Sequence, residues 1–103
     1  MNTVAYQSFM EYCRTKANQV LPTISGNAEF KLTSVQDECL HLTIISTGKQ
    51  RHSKKNWIQK YLAYYNETNS LRPTDYNKNI HCTNASYILT LIKLYVAAKK
   101  IVE

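Results

Sequence analysis

Acidic residues are scarce in this chain, and over one long stretch they are missing. Seven Asp and Glu stand against thirteen Lys and Arg, for a formal charge of +6, and no acid lies between Glu38 and Glu67. Carboxylate chemistry is correspondingly thin. Glu29-Phe30-Lys31 has the Glu-x-Lys spacing with which metal-dependent nucleases hold an ion and steady the charge developing on a phosphate. Such sites need a second acid, and none occurs between Glu11 and Glu29. A surface strand with alternating charge accounts for Glu29 and Lys31.

Glycine is rarer still, with Gly26 and Gly48 alone. Gly48-Lys49 therefore does not make a nucleotide-binding loop: Thr43 stands where its first glycine belongs, and Gln50 where Ser or Thr would meet magnesium. What survives is a glycine-containing turn whose amides, with Lys49, Arg51 and Lys54, could hold a phosphate near a helix start. His52-Ser53-Lys54 has the His-x-Lys spacing of phosphodiester-cleaving enzymes, but Gln59 occupies the place of the acid that should follow. No Ser or Cys nucleophile is marked by its local sequence either, so no enzyme is expected.

Cysteine is limited to Cys13, Cys39 and Cys82, an odd number at wide spacings with no CxxC pair. That suggests neither a disulfide framework nor a zinc ribbon, and reduced thiols in a cytoplasmic protein are the expectation. Cys39 and His41 lie two apart on one side of a strand, and His81-Cys82 would complete four zinc ligands if the chain folded back. Adjacent His and Cys are awkward to aim at one ion, so no metal or cofactor is expected. There is also no long apolar run. Tyr87 to Val102 is interrupted by Lys93, Lys99 and Lys100 and is too short to span a bilayer. The N-terminus does not read as a signal peptide, so Asn66-Glu67-Thr68 and Asn84-Ala85-Ser86 are not read as glycosylation sites.

What is present is enough apolar material to fold: 44% apolar and 19% charged residues in 103, expected to form a single domain over residues 1–103. From about Thr3 to Val20, Tyr6, Phe9 or Met10, Cys13, Ala17 and Val20 or Leu21 recur at helical spacing, and Pro22 ends the stripe. Between Glu29 and Ile45 the period becomes two. Phe30 and Leu32, then Leu40, Leu42 and Ile44, alternate with polar residues around Gln36-Asp37-Glu38, which predicts a β-hairpin with one face on the core. Ser46-Thr47-Gly48 closes the second strand. Ser53 is then the expected cap of a helix with Trp57, Ile58, Tyr61, Leu62 and Tyr65 on one face. Residues 66–82 read as a long irregular loop. Thr83 or Asn84 caps a last helix to about Val102, apolar around nearly its whole circumference, which a second copy of the chain could help to cover. The fold class is thus α+β: helix, hairpin, helix, long loop, helix.

Within this frame the stretch Ser46 to Lys60 stands out, with Lys49, Arg51, Lys54, Lys55 and Lys60 and no acid. Arg72 and Lys78 of the expected loop would join it in one positive face if that loop folds alongside, and Tyr76 would offer a ring to stack on a base. The functional expectation is a small, non-catalytic nucleic-acid-binding protein that uses Lys49, Arg51, His52, Lys54, Lys55, Lys60, Arg72, Tyr76 and Lys78. The alternative is a protein-interaction module or inhibitor docking on an acidic partner, either alone or as a homodimer joined through the last helix. No membrane partner is expected.

Overall fold

A computed structural model describes residues 4–24, 26, 28–36, 38–79 and 85–102, the last three by their backbone alone. The architecture is α+β: one helix, a four-stranded antiparallel sheet, then three helices.

The first helix, α1 (Tyr6–Thr15), buries Phe9, Met10 and Cys13. It stops short of the expected Val20. Asn18 takes a left-handed conformation (φ 69°), and its N–H donates to Leu32 O at 2.6 Å. The reversal sends Val20–Pro22 back as a short strand, β1, paired with Glu29–Lys31. Val20 and Leu21 continue the helical spacing only by coincidence: Val20 is half exposed, and Leu21 is buried as a strand residue.

The predicted hairpin is the centre of the sheet, formed by β2 (Glu29–Gln36) and β3 (Cys39–Ile44). Glu38 (φ 61°) supplies the left-handed turn residue, and a register shift between Leu32 and Ser34 bends β2. Phe30, Leu32, Leu40 and Leu42 are fully buried on one face. A fourth strand, β4 (Gln50–Lys54), pairs with β3 and gives the order β1-β2-β3-β4. Residues 50–54 were expected to be loop and helix cap, so this strand corrects that reading. Its reason lies in the turn before it. The Gly48 N–H donates to Ile44 O at 2.7 Å, and the Ile44 N–H donates to Lys49 O at 2.8 Å. Gly48 sits at φ 71°, a left-handed conformation that glycine adopts at no steric cost.

Next, α2 (Lys55–Thr68) lays Ile58, Tyr61, Leu62 and Tyr65 on the core and ends at Asn69, again left-handed, whose N–H donates to Tyr65 O at 2.7 Å. The expected long loop is largely ordered into α3 (Pro73–Asn79). Pro73 suits a first helical position, where its missing N–H costs nothing. Ser70 holds the approach: its hydroxyl donates to Asp75 Oδ2 at 2.6 Å, and its carbonyl accepts from Tyr76 OH at 2.8 Å.

The last helix, α4 (Ala85–Val102), is the hub of the helical layer and packs against α1, α2 and α3. Ile88, Leu89, Leu91 and Ile92 are fully buried, with Thr90 and Tyr95 nearly so. Leu94 and Val96, partly buried, pack against the same core. The capping residues expected at Thr83 and Asn84 lie outside the described residues. Buried aliphatic side chains of this size contribute roughly 1.5–3 kcal/mol each, so β2, β3 and α4 form the stable heart. Burial also pushes the Cys13 thiol up to about 12, leaving it an inert core group.

Helices thus cover one face of the sheet. The other carries Lys31, Thr33, Ser34, Gln36, Cys39, His41, Thr43, Gln50, His52 and Lys54, none of them buried. No helix among the described residues is long and apolar enough to cross a membrane.

Candidate nucleic-acid interface

Because residues 50–54 form a strand, their side chains alternate between the two faces of the sheet. Ser53, opposite Leu40, is 3% exposed and points into the core, so Arg51 shares its side. Gln50, His52 and Lys54 take the open face. Arg51 is nonetheless exposed, because β4 is an outer strand and the helical layer does not bury that end of it. Lys49 is exposed in the preceding turn. Arg51 and Lys54 therefore leave the strand in opposite directions but both flank its outer edge.

Lys55 behaves differently. Its Nζ donates to Glu38 Oε1 at 3.1 Å and lies 5.4 Å from the centre of the Tyr6 ring. This is the one ion pair among the described residues, so Lys49, Arg51 and Lys54 have no carboxylate partner there. The Tyr6 hydroxyl is buried without a hydrogen bond, and its pKa is raised, first by that burial and then by the charge of Glu38.

The start of α2 breaks the usual rules for helices. Lys54 occupies the N-cap position with no side-chain hydrogen bond, and the first turn holds no acid. Ser53 does not cap it as expected; its Oγ is buried and unpartnered. Lysines at the positive end of a helix dipole cost about 0.3–1 kcal/mol apiece, and a bound anion would reverse that sign.

The remaining expected site residues belong to a second region. Lys60 lies 4.4 Å over the Trp57 ring and shares a recess of about 340 Å³ with Tyr64, Glu67 and Asn79. Arg72 and Lys78 are exposed beside and on α3, with Asp75 between them in sequence. Tyr76, expected to offer its ring to a base, is instead fully buried and stacked on Tyr61 at 5.8 Å. Tyr64 meets Tyr76 edge-on at 4.7 Å, and its hydroxyl accepts from Asn79 Nδ2 at 3.1 Å. These rings hold α3 to α2. Of the expected site residues, Lys49, Arg51, His52, Lys54 and Lys55 thus lie along β4 and the start of α2, Lys60 lies further along α2, and Arg72 and Lys78 lie beside and on α3.

One neighbour was not foreseen. Antiparallel pairing sets His41 directly opposite His52 on the open face, with ring centres 6.5 Å apart. The signal that could have found it is the parity of β4, legible only once Gly48 is taken as a hairpin turn. Of the four residues considered for zinc, His81 and Cys82 lie outside the described residues. No group of three or more His, Cys, Asp or Glu able to hold a metal ion occurs among the described residues. The chain matches no protein-family model, no curated protein and no solved structure.

Proposed function

We propose that this protein binds nucleic acid, without catalysing a reaction on it, by laying phosphates along the outer edge of β4. One observation carries the reading: an exposed outer strand with Lys49, Arg51 and Lys54 at its margins, none paired with a carboxylate among the described residues. Unpaired cations in a row are the groups that release counterions from a phosphate backbone. Arg51 suits a bidentate contact, and Lys49 and Lys54 act as point charges. Lys55 contributes less, being held by Glu38. The uncapped, acid-free start of α2 supports the same sign of partner. Lys60, Arg72 and Lys78 lie to the α2–α3 side and serve as a secondary contact for a longer strand.

The test is a salt titration of oligonucleotide binding, comparing wild type with the Lys49→Gln, Arg51→Gln, Lys54→Gln triple variant. Each lost phosphate contact should reduce the slope of log K against log salt by roughly 0.7–0.9, so the triple variant should lose about two units or more along with much of its affinity. Lys93→Gln on α4 serves as the control and should change little. Unchanged affinity and slope in the triple variant would end the proposal. An outer strand also suits addition of an acidic polypeptide as a further strand, the second reading. Pull-down with and without nuclease separates the two, since only the polypeptide survives the treatment.

A further inference from the structure

The pairing that sets His41 opposite His52 has a definite geometry. The hydrogen bond from Ile44 N–H to Lys49 O fixes the alternation of the β3–β4 ladder. Counting by twos, the pairs Leu42–Arg51 and Leu40–Ser53 are the hydrogen-bonded ones. His41–His52 is then a non-hydrogen-bonded pair, in which side chains approach more closely. Leu40, Leu42 and Ser53 are buried on the core side, so both imidazoles stand on the open face, their planes tilted by 35°. They form part of the wall of a recess of about 520 Å³, which Lys54, Gln36 and Asn56 also line.

Flat rings, a cation and two side-chain amides around one recess are the parts that hold a nucleotide whose base is not paired. A π face takes the base, a cation takes the phosphate, and amides reach the base edge. Glu38 also borders the recess, but its carboxylate is engaged by Lys55 at 3.1 Å, which offsets the repulsion it would exert on a phosphate. We propose that this recess seats one nucleotide, with its base against His41 and His52 and its phosphate on Lys54, so that the preferred partner is single-stranded. The proposal rests on the nucleic-acid reading above and deepens it. Duplex nucleic acid presents base edges in its grooves and keeps base faces stacked inside, so it could use the β4 cations but not this platform.

The experiment measures fluorescence anisotropy with a short labelled single strand of mixed sequence and with the duplex of the same sequence. The single strand should bind more tightly. The His41→Ala, His52→Ala double variant should lose roughly tenfold or more of its single-strand affinity, as when a base loses its stacking partner, while duplex binding stays as in wild type. His41→Phe with His52→Phe keeps the flat rings and should keep the single-strand affinity; its loss would overturn the stacking role. Both positions face away from the core, and thermal unfolding followed by circular dichroism verifies that each variant is folded. A free mononucleotide has the same chemistry. Displacement of the strand by unlabelled mononucleotides at comparable concentrations would identify them as the occupant, whereas displacement by unlabelled strand alone identifies a nucleotide within a chain. Equal affinity for strand and duplex, with the alanine double variant unchanged in both, would overturn the proposal. The β4 reading would still stand if the Lys49, Arg51, Lys54 variant weakened both. Absence of wild-type binding to either probe would remove both readings.

Discussion

Ser53 carries a hydroxyl that has left water without gaining a partner. A buried unsatisfied group of this kind costs about 1–3 kcal/mol, so Ser53→Ala should raise the stability of the fold by about 1 kcal/mol, read as a higher midpoint in denaturant. Had Ser53 capped α2, as its position in the sequence suggests, the same change would cost about 1 kcal/mol. The sign of the shift therefore separates the two geometries, and a fall would contradict the strand assignment of residues 50–54. Arg51 and Lys54 make the same point about charge. Their presence is plain in the sequence, but their opposite directions follow only from β4 being a strand with Ser53 turned inward.

At the scale of elements, Tyr76 decides what α3 is for. Its ring is fully buried against Tyr61, and its hydroxyl donates to Ser70 O at 2.8 Å. Tyr76→Phe should cost about 1 kcal/mol of stability through the lost hydrogen bond, and Tyr76→Ala roughly 3–5 kcal/mol through the cavity left behind. Nucleic-acid affinity of the folded Phe variant should be unchanged, and an anisotropy titration checks it. A marked loss would mean that the tyrosine reaches the ligand after all. Elements with a clear apolar period were legible in the sequence: α1 through Phe9, Met10 and Cys13, the β2–β3 hairpin through Phe30, Leu32, Leu40 and Leu42, and α2 through Ile58, Tyr61, Leu62 and Tyr65. Those that escaped have almost no period to read. β4 is Gln-Arg-His-Ser-Lys, without one apolar residue, and is held by its pairing with β3 rather than by burial. α3 buries Tyr76 alone, and three-residue β1 is hidden by residues that extend the helical stripe of α1. For the site, the charge of residues 49–55 was visible, whereas the His41–His52 contact depends on register between strands and could not be read along the chain.

At the scale of the whole molecule, the core is one-sided. Helices occupy one face of the sheet, leaving the other face and the outer edge of β4 to solvent, with Lys31, His41, His52 and Lys54 on the former and Lys49 and Arg51 at the latter. The β3–β4 register sets their placement, and the proposed binding would draw on the positive balance of +6. The most direct test of the central claim is amide chemical-shift mapping on titration with a short single-stranded oligonucleotide. The largest perturbations should fall on residues 49–56 and on His41, with smaller ones at Lys60, Arg72 and Lys78. Perturbations concentrated on α3 and α4, with residues 49–56 unmoved, would contradict a binding surface built on β4.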